Sequence, residues 1–163
     1  MMERSMLTVG VFATLGFVAS AVLGYLLASP EDAGMQTHVL VALASTLLAL
    51  FSHSWILLYL LGTGRAVQGA IRSEGLDAEL SRRTRRLKTF TYPLVLLAMI
   101  LVLGAFALGA AATADYTPLS SHHVAFYAAL VVQAVALWAE GQVLRENERL
   151  LLDVDSRLAA ALG

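Results

Sequence analysis

A chain of 163 residues in which 58% are hydrophobic and only 14% charged falls well below the roughly 25% charge of an average soluble domain. Its 11 Lys+Arg against 12 Asp+Glu leave it nearly neutral, so it lacks the global basic field that nucleic-acid binding requires, and no nucleic-acid partner is expected. The absence of cysteine excludes disulfides, thiolate metal sites, CxxCH-type haem attachment and iron–sulfur clusters; any metal must rely on His, Met or carboxylate ligands.

Four apolar runs, about 7–28, 38–61, 90–112 and 123–144, are each long enough to cross a hydrocarbon core of about 30 Å, which takes about 20 residues of helix. The first follows Glu3 and Arg4 and is longer than the apolar core of a cleavable signal, so it is read as a retained helix. Ser29-Pro30-Glu31-Asp32-Ala33-Gly34 stops it with turn residues. Gly16, Ser20 and Gly24 recur at helical spacing in this run, as Ala105, Gly109 and Thr113 do in the third; such small-residue rows let helices approach closely in lipid.

The second run places His38, Ser45, Ser52, Tyr59 and Thr63 on one face, with His53 at its margin. Its helix is expected to overrun the membrane through Arg65 to Arg72, until Ser73-Glu74-Gly75 breaks it. Leu61-Gly62-Thr63-Gly64-Arg65 superficially resembles a phosphate-binding glycine loop. It lacks the preceding strand and the following Lys-Ser/Thr, and is read as the end of the embedded part or a point of close packing.

Residues 65–88 form a basic cytoplasmic loop in this reading, with Ser81 to Lys88 as a basic turn leading into the third helix. Its cluster Arg82, Arg83, Arg85, Arg86 and Lys88 is expected to meet anionic lipid headgroups. Tyr92-Pro93 opens the third run, where an early proline is best tolerated. Thr117-Pro118-Leu119-Ser120-Ser121 starts the fourth. There Leu130, Leu137, Leu144, Leu151 and Leu158 recur every seven residues, with Gln133, Glu140, Asn147 and Val154 between them. That coiled-coil-like seam predicts a continuous rod with a cytoplasmic extension over 145–160. It should pack on the end of the second helix, or on the same helix of a neighbouring subunit.

All 11 basic residues fall on one side of these runs. The positive-inside rule then puts both termini in the cytoplasm, in a multi-pass protein of the cytoplasmic (inner) membrane. The expected fold is an all-α integral membrane protein: a four-transmembrane-helix up-down bundle forming a single membrane domain over 1–163, with helices 2 and 4 extended into the cytoplasm. A homo-oligomer, or a subunit of a larger membrane complex, is expected.

Ionisable groups inside a bilayer are rare because desolvation costs several kcal/mol, so each is a functional hypothesis. Here the four histidines, His38, His53, His122 and His123, and the one intramembrane acid, Glu140, all belong to the second and fourth runs. Matching depths at about 1.5 Å per residue sets His38 level with His122 and His123 near the outer surface. Met35, Glu31, Asp32 and Asp115 are close enough in sequence to join them. This outer group is a candidate site for haem b, copper or zinc, with His38 and His122 as axial ligands across two helices and His123 and Met35 as further donors; solvated or helix-capping histidines are the alternative. His53 lies on the order of 22 Å deeper, between the levels of Gln133 and Glu140, with Trp55, Tyr59 and Trp138 at similar depth. These form an inner polar pair that is either proton-active or purely structural.

The layout resembles membrane-anchor cytochromes b, in which histidines from separate helices grip haem; the likeness is architectural and covers no sequence motif. Two-haem members place two ligand histidines on each of two helices. The fourth run has no deep second histidine, so the resemblance implies one bis-histidine haem, in an electron-transfer or respiratory-complex role. A non-catalytic scaffold subunit and a small proton-coupled transporter or channel unit are the other readings; against the last, no inverted repeat or broken helix is visible. No Ser-His-Asp order, HExxH or Walker pattern occurs, so no catalytic residue is assigned and the chain is not expected to be an enzyme on its own.

Overall fold

In the computed structural model, residues 2–27 and 33–162 are described, with side chains described for 5–26 and 34–160. They form four helices: α1 (Met2–Leu27), α2 (Ala33–Glu74), α3 (Glu79–Thr113) and α4 (Leu119–Leu162). The helices run up, down, up and down, with α1 packed along α2, α3 along α4, and α2 also against α3. All four are long and apolar enough to cross a membrane. At 42 and 44 residues, α2 and α4 reach about 63–66 Å at 1.5 Å per residue, roughly twice a hydrocarbon core.

The helix ends have local causes. α2 stops where Gly75 takes φ +66, a left-handed conformation that glycine adopts without a Cβ penalty. α3 ends with Asp115 at φ 58, while Tyr116 N–H donates to the Ala111 carbonyl at 2.9 Å, closing the last turn over its free carbonyls. Within the stretch 65–88, α2 continues past Arg72 to Glu74 as expected, whereas residues 79–88, expected as no more than a basic turn, are the first turns of α3, and only 75–78 is non-helical. The apolar residues of this stretch are spaced for one buried stripe: Val67, Leu80, Leu150 and Val154 make a core between the ends of α2, α3 and α4. The extension of α4 therefore packs within this chain, and Arg83 binds Asp153 across α3 and α4 at 2.7 Å.

Because α3 begins at Glu79, Pro93 sits inside it and not at its start. Nearby, Tyr92 Oη donates to the Leu57 carbonyl at 3.1 Å, tying α3 to α2. Two further cores fill the bundle. Ala13, Phe17, Ala49, Val102, Ala105 and Ala129 lie toward the α3–α4 connection, which marks the loop end. Met6, Ile56, Leu60, Val143 and Leu144 lie toward the end that holds the α2–α3 turn, the basic end. The first of these cores is rich in alanine, which lets the helices approach closely.

Candidate functional site

The outer histidines gather at the loop end, around one cavity of about 960 Å³ lined from all four helices. His38, His122, His123, Met35 and Asp115 all contribute to its wall. Glu31 and Asp32 lie outside the described residues.

His38 and His122 are seated in the same way. His38 Nδ1–H donates to the Ser20 carbonyl at 2.7 Å, and the Ser20 hydroxyl donates to the His38 carbonyl at 3.4 Å. His122 Nδ1–H donates to the Ala105 carbonyl at 3.0 Å. One turn along each carbonyl-bearing helix comes a glycine whose missing side chain makes room for the ring. A Cβ on Gly24 would lie 3.0 Å from His38 Nδ1, and one on Gly109 would lie 2.9 Å from His122 Cε1. Thus α1 offers Ser20 and Gly24 to His38, and α3 offers Ala105 and Gly109 to His122, with the same four-residue spacing. A backbone carbonyl on Nδ1 sets the tautomer and orients Nε2, the atom that ligates metals in many proteins.

His123 is placed differently. Its ring lies against Tyr25, with centroids 5.3 Å apart, and the Tyr25 and Tyr127 hydroxyls share a 2.9 Å hydrogen bond. Among the described residues no three His, Asp or Glu side chains converge as a metal-binding group.

Deeper in the bundle, His53 bridges α2 to α4. Its Nδ1 lies 2.7 Å from Glu140 Oε1 and its Nε2 lies 2.8 Å from Gln133 Oε1, and all three residues are 0% exposed. Both ring nitrogens face oxygens, so this arrangement suits an imidazolium donating to a carboxylate and to an amide carbonyl. Turning the Gln133 amide over would suit a neutral imidazole instead. The two forms differ in the protons held between His53 and Glu140. Glu140 Oε2, Gln133 Nε2 and Asn147 Nδ2 are buried without a partner. About two turns below Glu140, Thr63 Oγ1 donates to Asn147 Oδ1 at 3.1 Å, and beside His53 the Ser52 Oγ donates to the Met6 carbonyl at 3.0 Å. Trp55 and Trp138 share this depth but turn outward, 44% and 65% exposed, and add nothing to the pair.

Sequence spacing identified Gly24 and Gly109 as close-packing positions, and Ser20 and Ala105 with them. Their part in seating imidazoles was missed, because the group that approaches comes from the other helix of each pair. No protein-family model matches the chain, and neither a curated protein nor a solved structure matches it.

Proposed function

We propose that this is a membrane-spanning four-helix protein that holds one haem b between His38 and His122. The observation that carries the reading is the matched seating of the two imidazoles. Each Nδ1 is taken by a backbone carbonyl of a neighbouring helix, and each ring is accommodated by a glycine. Among the described residues neither Nε2 has a protein hydrogen-bond partner. Both rings border a cavity within the roughly 300–1,000 Å³ range of cofactor sites. With two imidazoles and, among the described residues, no cluster of three ligand side chains, His38 and His122 would suit haem iron better than zinc or copper, whose sites usually draw three or more protein ligands. When bound, such a group supplies one-electron transfer. The protein's part is to hold both imidazoles in the ligating tautomer and to surround the site with apolar side chains such as Phe17, Val102 and Phe126.

The membrane reading rests on four long apolar helices and on a surface that exposes Phe12, Leu26, Leu40 and Ile100 while Gln133 and Glu140 are buried. With the basic residues at the end holding both termini, the positive-inside rule makes that end cytoplasmic in an inner-membrane protein. The haem would then lie toward the outer face, in a role such as electron transfer within a respiratory assembly, alone as a homo-oligomer or as a subunit.

A second reading, proton coupling in a small transporter or channel unit, draws on the buried His53–Glu140 bridge and its unpartnered polar atoms. Purified protein loaded with haemin separates the two. Haem binding predicts a Soret band that disappears in His38→Ala and in His122→Ala and survives in His53→Ala protein that remains folded. A colourless protein with unchanged thermal stability in both outer variants would remove the haem reading.

A further inference from the structure

A second cavity, about 290 Å³, opens between α2 and α3 at the basic end. Arg65 and Arg72 of α2 and Arg85 and Lys88 of α3 line it, and no carboxylate does. Of the acids at this end, Glu79 pairs with Arg82 and Asp153 with Arg83 and Arg157, while Glu74 and Asp77 are not part of the lining. Among the described residues, none of the four lining cations has an ion-pair partner. Arg65 lies close enough to Lys88 for the two charges to repel.

The crowding is built into the backbone. Lys88 lies across Gly64, where any Cβ would run into its Nζ and come within 2.9 Å of Thr84 Cγ2. A hydrogen bond from Gln68 Nε2 to Ser81 Oγ, 3.2 Å, spans the same pair of helices. Four like charges held together with no counter-charge make a receptor for an anion. Arginine forks with an added lysine suit phosphate oxygens.

Helix geometry says which phosphate. Leu58 lies seven residues before Arg65, and Leu96 eleven residues after Arg85. At 100° per residue each falls within about 20° of its arginine's face, some 10–16 Å toward the loop end. Both leucines are exposed, 66% and 49%. An apolar strip thus runs directly up from the cationic cleft, as two acyl chains above an anionic headgroup would require.

We propose that the α2–α3 cleft is a binding site for the phosphate of an anionic membrane lipid, its headgroup among Arg65, Arg72, Arg85 and Lys88 and its acyl chains along Leu58 and Leu96. The lipid identity rests on the membrane-spanning reading given above. The site differs from a diffuse basic surface, because Arg82 and Arg86 belong to the same charge cluster and do not line it.

The test uses full-length protein in mild detergent, with bound phosphatidylglycerol counted by native mass spectrometry against phosphatidylcholine of the same acyl chains. One anionic lipid should bind in preference. The pair Arg65→Gln and Lys88→Gln should weaken it by tenfold or more, taking about fivefold per cation removed. Arg82→Gln with Arg86→Gln, which removes the same charge outside the cleft, should change it less than about threefold, below one cation's share. Gly64→Val keeps every charge and fills the cleft, and should also abolish the preference. Equal loss in both double variants, or undiminished binding to Gly64→Val, overturns the site. Full competition by inorganic phosphate at equal concentration overturns the lipid in favour of a soluble phosphate ester. Protein that stays dispersed without detergent overturns the membrane reading and the lipid with it; detergent-dependent protein whose cleft variants bind like the parent overturns the cleft alone.

Discussion

At the scale of single residues, the tightest positions are the glycines under the histidines. A valine at Gly109 would set its Cβ 2.9 Å from His122 Cε1 and 3.0 Å from Nδ1, so the ring must leave the Ala105 carbonyl or the helices must part. Overpacking of this kind typically costs about 1–3 kcal/mol. Gly109→Val should lower the thermal midpoint in detergent and reduce haem uptake together. Uptake unchanged at full stability would show that the ring has room to spare. The inner pair makes a different demand. Removing one member of the buried His53–Glu140 bridge leaves the other polar group stranded, a loss of about 3–5 kcal/mol. His53→Leu combined with Glu140→Leu should recover much of the loss seen in either single variant, because the desolvation penalty goes with both groups. Unfolding in denaturant measures all three, and a double variant no better than the worse single one would count against a coupled pair. The sequence made the histidine faces visible through their 100° spacing. It could not show Ser20 and Ala105 as carbonyl partners, since every residue type has a carbonyl.

At the scale of elements, α4 joins two regions of different character. Its upper half carries Gln133 and Glu140 into the core, and its lower half carries Leu150 and Val154 against Val67 and Leu80. Leu150 is 1% exposed, so Leu150→Ala should cost about 2–5 kcal/mol, felt at the basic end and leaving the Soret band of loaded protein intact. The ion pairs beside it are minor and titrate. The hydrogen bond from Arg157, then the charge of Arg157 and the bond from Arg83, hold the Asp153 carboxyl below the usual carboxylate range. A carboxyl with a depressed folded-state pKa adds stability above its unfolded value, near 3.9, and loses it as pH falls through the folded value. The midpoint difference between parent and Asp153→Asn should therefore be present at pH 7 and shrink by pH 3. The heptad of leucines made this rod legible in the sequence. The helical character of 79–88 was less so, because frequent arginines lower the mean hydropathy and hide the stripe of buried Leu80 and Thr84 and half-buried Leu87.

At the scale of the molecule, polarity is distributed opposite to a soluble bundle. Buried Gln133, Glu140 and Asn147 sit at the centre, while Phe12, Leu26, Ile100 and Val124 face outward at 63%, 76%, 65% and 71% exposure. In water so much exposed apolar surface would drive association; in hydrocarbon it is the favourable surface, and polar groups are driven inward. This inversion and the segregation of basic residues rest on residue type and helical period alone, which is why four long apolar helices and their polarity could be read before any packing was known. The orientation proposed from the positive-inside rule is directly measurable, because the chain has no native cysteine. Ser120 and Ser73 are both exposed and lie at opposite ends of the bundle, Ser120 beside the α3–α4 connection and Ser73 in the last turn of α2. In intact cells, a membrane-impermeant maleimide should label Ser120→Cys from outside and reach Ser73→Cys only once the inner face is opened. The reverse pattern would invert the protein and place the histidine cavity on the cytoplasmic side. Labelling of both from outside would mean that the chain between them does not cross the membrane an odd number of times, and the four-span topology would fall.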